Sequence, residues 1–161
     1  MYIHIFCIFV AEMKLEEEIK QKAFTSEYQR LSLNILFTAS WLNTQTIRVL
    51  KPFGLTPQQF NVLRILRGQN QKPASVGLIQ ERMLDKSSNA SRLIDKLVEK
   101  KLIDRKTCPE DRRQMDVKIN QKGLDLLLEI EPHLRQMDTL LKTLTEEEAK
   151  QASDMLDKLR G

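Results

Sequence analysis

The sequence contains only two cysteines and two histidines among its 161 residues. Cys7 and Cys108 lie far apart, so they make neither the disulfide framework of a small secreted domain nor a zinc-binding cluster. His4 and His133 supply no second ligand at a useful spacing, and we expect neither a metal nor any other cofactor. With so few thiols, the reducing cytoplasm is the expected location.

The sequence also lacks the motifs on which common enzyme chemistry depends. It has no glycine-rich phosphate loop, no Ser/His/Asp set and no isolated carboxylate pair in apolar surroundings. Its acidic residues stand mostly beside lysines and arginines, as is typical of solvated helix surfaces. We therefore expect a protein that is not an enzyme.

Long apolar runs are missing except at the N-terminus. Residues 2–11 are almost wholly apolar, but they number only half of the ~20 residues that a membrane helix requires. No basic residue precedes them and Glu12 follows, which is a poor match to a signal peptide. We interpret residues 1–14 as an extension outside the functional fold, with Met13 as the natural start, and we expect no membrane segment. The alternatives are an extra dimer contact or an anchor on a lipid surface.

Glycine and proline are scarce, with five of each, which favours long helices. Residues 15–51 predict a helix that is apolar over a wider arc than a solitary surface helix tolerates, so a partner must cover it. The bulky members of this arc are Phe24, Tyr28, Leu31, Ile35, Phe37, Trp41, Leu42 and Val49. The net charge of +4 is mildly basic and says little by itself about that partner.

Short helices follow the first long one. Thr56 and Gln59 form a marked helix start with a capping box. Residues 75–83 predict a second short helix, and Asp85 is the expected cap of a third, which runs to about Lys100. Two short helices joined by a tight turn outline a helix-turn-helix.

After about Lys100, the spacing of the apolar residues changes from a helical pattern to a strand pattern. Residues 114–119 alternate polar and apolar side chains, which is typical of a half-buried strand, and residues 102–108 are the candidate partner strand. Asn120 is the expected cap of a long helix, and Thr145 with Glu148 forms a second capping box before a final helix. The order of elements predicts a mainly α-helical fold with a small β-hairpin wing.

The helix of residues 86–100 is expected to pack inward through one apolar face, made of Ala90, Leu93, Ile94 and Leu97. Its opposite surface carries side chains of the types that bind base edges and phosphates. Asp95 and Glu99 also point outward and count against DNA, but mainly the first part of such a helix enters the major groove. The candidate DNA contacts are therefore Ser87, Ser88, Asn89, Ser91, Arg92 and Lys96.

The tip of the hairpin places Arg112 and Arg113 beside Asp111. An arginine carried there can reach the adjacent minor groove, with Asp111 holding its guanidinium before binding. The alternative is an ordinary surface turn with an internal ion pair. Directly after a helix-turn-helix, the first interpretation is favoured.

The stretch from Leu55 to Leu128 resembles the multiple-antibiotic-resistance regulator (MarR) family of transcriptional regulators. The matching segments are LTPQQFNVLRIL, the helix pair through SSNASRLIDKLVEKKLIDR, the wing PEDRRQMDVKI and NQKG. The resemblance implies a winged helix-turn-helix whose flanking helices interlock with those of a second subunit, placing two modules on successive major grooves of a pseudo-palindromic site. It also implies that Arg113 enters the minor groove, held by Asp111, while Arg112 meets a phosphate.

One departure from the family pattern concerns the residue before the first wing strand. The family usually has a glycine there, which closes the recognition helix in a left-handed conformation. Here the residue is Lys101, so either Lys101 adopts that conformation or the helix ends differently. Asn120 replaces a common threonine and keeps the capping function.

Two further hypotheses stay open. Tyr28, Phe37 and Trp41 are either core residues or part of a cleft that binds a small aromatic or anionic effector. Cys108, which stands close to two cations, is either an ordinary wing cysteine or a redox-sensing thiol.

We therefore expect residues 52–119 to form a winged helix-turn-helix, and residues 15–51 and 120–161 to form dimerisation helices. The predicted function is a homodimeric, ligand-responsive repressor that binds double-stranded DNA. The alternatives are a dimeric protein-interaction module of the same shape without DNA binding, and a thiol-based redox sensor.

Overall fold

The computed structural model describes residues 14–21, 23–107 and 115–161. Over these ranges it contains seven α-helices and one three-stranded antiparallel sheet, which confirms the predicted fold class. No helix in these ranges is long and apolar enough to cross a membrane. The elements are α1 (Leu15–Glu18), α2 (Glu27–Leu50), a 3-10 turn (Lys51–Phe53), α3 (Pro57–Arg67), β1 (Ala74–Ser75), α4 (Val76–Arg82), α5 (Ala90–Glu99), β2 (Ile103–Thr107), β3 (Met115–Ile119), α6 (Gln121–Leu141) and α7 (Glu146–Arg160).

The chain divides into two compact units, and the boundary falls between residues 43 and 44, within α2. In the first unit, Arg30 of α2 forms an ion pair with Glu16 of α1 at 2.8 Å. Leu31 and Leu36 on α2 remain 48% and 64% exposed. Leu31 belongs to the wide apolar arc that the sequence predicts, and Leu36 is a further exposed leucine on the same helix.

The prediction of one continuous helix over residues 15–51 is wrong, because the chain leaves the helix after α1 and starts again at α2. Lys20 lies between them with a positive φ of 54°. The Gln29 side chain accepts a hydrogen bond from the Thr25 N–H at 2.8 Å, and the Ser26 hydroxyl oxygen accepts from the Gln29 N–H at 3.2 Å. These side chains satisfy free N–H groups at the start of α2 and so favour a new helix start there.

The second unit, residues 44–161, has a continuous apolar core around α3. The Thr56 hydroxyl accepts from the Gln59 N–H and the Gln59 side chain accepts from the Thr56 N–H, both at 3.2 Å, which confirms the predicted capping box. Helix α3 contacts α4, α5, α6 and β3. Its buried neighbours in the core include Leu50, Ile79, Ile94, Leu97, Ile103, Val117, Ile119, Leu127 and Ile130.

The sheet has the order β1–β3–β2, with β3 in the centre. Ile103 pairs with Ile119 and Arg105 pairs with Val117, which confirms the two predicted strands of the hairpin. Strand β1 is not predicted by the sequence pattern, because it contains only two residues; its Ala74 also pairs with Val117. The sheet therefore joins the start of α4 to the hairpin.

The last two helices keep large apolar side chains in solvent. The capping box of Thr145 and Glu148 is confirmed at the start of α7, which has no buried residue. Leu128 is 61%, Met155 68% and Leu159 60% exposed. Further exposed apolar residues on or between these helices are Leu140, Leu141, Leu144 and Leu156. Exposed apolar surfaces of this kind occur at protein–protein interfaces, membrane-binding sites and ligand grooves.

Candidate nucleic-acid interface

Helix α5 starts later than the sequence pattern predicts. The expectation that Asp85 caps a helix from residue 86 is wrong, because α5 begins at Ala90 and its cap is Asn89. The Asn89 side-chain oxygen accepts a hydrogen bond from the Arg92 N–H at 3.0 Å. Residues 86–88 therefore lie in the turn before the helix.

Asp85 organises that turn instead. Its Oδ1 accepts from the Ser87 hydroxyl at 2.6 Å and from the Ser87 N–H at 3.0 Å, while Oδ2 accepts from the Ser88 hydroxyl at 2.8 Å. The hydrogen bonds from Ser87, then Ser88, then the Gln58 side chain hold the pKa of Asp85 below its ordinary value of 3.8. The carboxylate is thus ionised at neutral pH.

Two more side chains reach this turn from neighbouring helices. Gln80 of α4 donates from Nε2 to the Lys86 carbonyl at 3.0 Å and accepts at Oε1 from the Ala90 N–H at 3.1 Å. Asn61 of α3 accepts from the Leu84 N–H at 3.0 Å. The sequence pattern does not identify Gln80 and Asn61, because these bonds link separate elements of the fold.

The buried and exposed positions of α5 follow the helical spacing that the sequence predicts. Ala90, Ile94 and Leu97 are buried and Leu93 is partly buried against the core. The polar candidates lie on the outside, and all of them except Lys96 stand before the helix or in its first turn. Ser88 is half-buried, and the exposed members are Ser87, Asn89, Ser91, Arg92 and Lys96.

Both outward acids of α5 have cationic partners. Asp95 accepts from Arg105 of β2 at 2.6 Å, and Glu99 accepts from Lys96 at 2.9 Å. Pairing with a cation reduces the repulsion that each carboxylate would exert on a phosphate. The acids therefore count less against DNA than the sequence alone indicates.

Lys101 ends α5 in the left-handed conformation, with φ of 59°. Its N–H donates to the Val98 carbonyl at 2.8 Å and the Leu102 N–H donates to the Leu97 carbonyl at 3.1 Å, which are the two bonds of a Schellman motif. The Asn120 side chain donates to the Lys101 carbonyl at 3.2 Å. Lysine thus occupies the conformation that glycine usually fills.

The predicted wing-tip residues Asp111, Arg112 and Arg113 lie outside the described residues, and so does Cys108. The described chain reaches the end of β2 at Thr107 and resumes with β3. The roles of the tip arginines and of the wing cysteine therefore stay predictions.

The predicted aromatic cleft residues lie along α2. Tyr28 is 85% exposed, whereas Phe37 and Trp41 are half-buried. At 1.5 Å per residue, Tyr28 lies roughly 13 Å along the helix from Phe37 and about 20 Å from Trp41. Within one chain, Tyr28 is too distant to line one small cleft with the other two.

A different cleft, of about 310 Å³, lies between α3 and α6. Arg67 forms an ion pair with Glu131 at 2.7 Å, and the Arg64 guanidinium lies 5.9 Å from the centre of the Phe60 ring. The other lining residues are Leu127, Leu134, Arg135 and Asp138. The lining thus combines three apolar side chains with three arginines and two acids, and Arg135 also lies 4.0 Å from Glu131.

Comparisons with known proteins agree with this geometry. Residues 53–114 match the model of the MarR family. The HTH-type transcriptional regulator MhqR of Bacillus subtilis (strain 168) is 32% identical over 119 residues, which are 73% of this chain and 81% of MhqR. The fold is similar to that of MepR from S. aureus in its DNA complex (TM-score 0.73, 24% identity, 85% of this chain and 97% of MepR). It is also similar to BpsR of Bordetella bronchiseptica, whose DNA binding is regulated by 6-hydroxynicotinic acid (TM-score 0.70, 20% identity, 82% and 99%).

Proposed function

Since this chain belongs to the MarR family of DNA-binding transcriptional regulators, we propose that it is a repressor that binds a pseudo-palindromic operator as a homodimer. The observation that carries the proposal is the outer surface at the start of α5. Small polar and cationic side chains are exposed there, while the opposite face of the helix is fixed in the core. MepR, which has the same fold, forms a complex with DNA.

In the proposed complex, the start of α5 lies in the major groove. Arg92 is the side chain best suited to pair with base edges. Asn89 uses its side-chain oxygen to cap the helix and offers its amide N–H groups to DNA, while Ser91 and Lys96 are suited to bases or phosphates. Arg113 enters the minor groove with Asp111 beside it, and Arg112 contacts the backbone. Residues 52–119 form the DNA-binding part in this proposal.

The proposed homodimer forms through residues 15–51 and 120–161. The support is the apolar surface of α6 and α7, where Met155 and Leu159 are each more than half exposed in the single chain. Joining two chains would remove this surface from water and fix the distance between their α5 helices.

The proposed effector is a small aromatic or anionic molecule that binds in the cleft between α3 and α6. Its anionic group would compete with Glu131 for Arg67, and its apolar body would lie on Phe60. Because α3 contacts α5 and α6 carries exposed apolar residues, binding there can alter the spacing of the two α5 helices. BpsR is a relative in fold whose DNA binding is regulated by such a molecule.

The test is selection of duplexes from a random DNA pool at near-physiological salt, followed by anisotropy titration of the enriched sequence. We expect a pseudo-palindrome with half-sites about ten base pairs apart. Arg92→Ala should weaken binding by about 1–3 kcal/mol, because one base or phosphate contact is lost. The control, Lys150→Ala, removes an equal charge from α7 and should bind nearly as tightly as the wild type.

A folded, dimeric protein that enriches no sequence would contradict the proposal and favour a protein-interaction module. Equal losses in Arg92→Ala and Lys150→Ala would mean that only net charge matters. A Cys108→Ser variant that loses its response to peroxide would instead support the redox sensor.

A further inference from the structure

The serines before α5 do not present free hydroxyl protons. Ser87 and Ser88 both donate their hydroxyl hydrogen to Asp85, at 2.6 and 2.8 Å. The direction of these bonds follows from chemistry, because an ionised carboxylate has no proton to donate. A hydroxyl group has one proton and two lone pairs, so each serine oxygen retains only acceptor capacity toward solvent.

The turn that carries these serines has little freedom to release them. The Ser87 N–H also donates to Asp85, at 3.0 Å. Gln80 bridges the Lys86 carbonyl and the Ala90 N–H and so fixes both ends of the segment. Turning a serine proton outward would break a hydrogen bond to a charged group, which is a stronger bond than one between neutral groups.

Groups on DNA respond differently to such an acceptor surface. Phosphate oxygens, guanine N7 and O6, and thymine O4 offer only acceptors, whereas adenine N6 and cytosine N4 offer amino donors in the major groove. An oxygen that can only accept pairs with the amino groups. Such an oxygen forms no hydrogen bond with DNA groups that can only accept.

We propose that Asp85 is a specificity-determining residue: by taking the hydroxyl protons of Ser87 and Ser88, it makes the turn before α5 select adenine or cytosine at the base positions it faces. The inference rests on the proposed function, because it requires α5 to enter the major groove. This role explains why an acidic residue lies on a surface that faces negatively charged DNA. Asp85 acts through the serines and makes no contact with the bases itself.

The experiment compares base preferences of the wild type and Asp85→Asn by the same selection from random DNA. The amide of asparagine brings donors of its own, so at least one serine oxygen accepts from it and frees its proton for DNA. We expect the preference at one position in each half-site to shift by roughly 3- to 10-fold from adenine or cytosine toward guanine or thymine. Ser87→Ala and Ser88→Ala should flatten that preference without reversing it.

Asp125→Asn is the matched control, because it removes the same charge from α6, where the Asp125 side chain accepts from Gln121 and from no other described residue. It should keep the wild-type base preferences.

If Asp85→Asn binds all sequences more tightly or more weakly by one common factor, Asp85 acts through charge or stability and the inference is overturned. If Asp85→Asn does not fold, the two serine variants decide, and unchanged preferences in both overturn the inference. A wild type that enriches no sequence overturns the proposed function itself, whereas enrichment with unchanged preferences overturns this inference alone.

Discussion

Lys101 adopts a left-handed backbone conformation that glycine fits better than lysine does. The left-handed region is unfavourable for a residue with a Cβ, by roughly 1–2 kcal/mol. Here two backbone bonds of the Schellman motif and the hydrogen bond from Asn120 hold the residue in place. The geometry between α5 and β2 is therefore retained at the expense of stability.

Lys101→Gly should raise the free energy of unfolding by about 1 kcal/mol, because glycine adopts positive φ without a steric penalty. Urea denaturation followed by circular dichroism measures the change. Lys101→Ala is the control, since it removes the same side chain and keeps the strained backbone. An equal gain in both variants would show that the lysine side chain, and not its conformation, is unfavourable.

The charged side chains of α5 differ in whether an oppositely charged side chain pairs with them. Asp95 is paired with Arg105, and Glu99 with Lys96, so these side chains contribute no net charge to the outer surface. Among the described residues, no acidic side chain forms an ion pair with Arg92, the other outward cation of α5. This distinction makes Arg92 the sharper choice for mutation than Lys96.

At the level of elements, the contact between α6 and the start of β2 depends on Gly123. A Cβ built there would overlap the Leu102 carbonyl oxygen and lie 2.8 Å from Cγ1 of Ile119. The Asn120 side chain caps α6 by accepting from the Gly123 N–H at 3.1 Å, so the first turn of the helix is fixed against the sheet. A shift of α6 away from the sheet would break this hydrogen bond.

Gly123→Ala should destabilise the fold by about 1–3 kcal/mol, because the added methyl group forces the backbones apart. Helix propensity alone predicts the opposite sign, since alanine is favoured over glycine by about 1 kcal/mol. Gly77→Ala in α4 is the matched control: its Cβ would meet only the Ser75 hydroxyl oxygen, at 3.8 Å. Thermal unfolding should give a lower melting temperature for Gly123→Ala and an equal or higher one for Gly77→Ala, and a stabilised Gly123→Ala would contradict the close packing.

The helix starts that could be predicted from the sequence are those with one dominant cap. Thr56, Asn120 and Thr145 each stand alone before a helix, and each is its observed cap. The sequence predicts the start of α5 wrongly, because Asp85 and Asn89 are both capping residues. The long-range hydrogen bond from the Ala90 N–H to Gln80 favours the start at Ala90. Local sequence carries no information about such bonds.

The candidate DNA surface could be predicted because it follows the helical period. The buried positions Ile94 and Leu97 alternate with exposed polar ones, and this pattern survives the later start of the helix. The cleft between α3 and α6 could not be predicted, since Arg67 and Glu131 are brought together only by the fold. The same holds for the contact of Asp95 with Arg105.

At the level of the whole molecule, the exposed apolar surface of α7 is part of the proposed contact between chains. Leu159→Glu should convert the proposed homodimer to a monomer or weaken it at least about 10-fold, because a buried charge without a partner is strongly unfavourable. Leu159 is 60% exposed in the single chain, so the fold itself should tolerate the change. Sedimentation velocity measures the association.

Lys150→Glu, on the opposite face of α7, is the control and should leave the dimer intact. A wild type that sediments as a monomer at high concentration would contradict the proposed dimer. A Leu159→Glu variant that stays dimeric would place the interface on other helices.

The order of the sheet has a consequence for solubility. Strand β2 lies at an open edge, and its unpaired backbone groups are a potential template for another strand. The edge is short and carries Asp104, Arg105 and Lys106, all of them exposed. Charged side chains on a short edge oppose amyloid-like addition of strands, so we expect chains at high concentration to associate through the proposed helical interface and not through this edge.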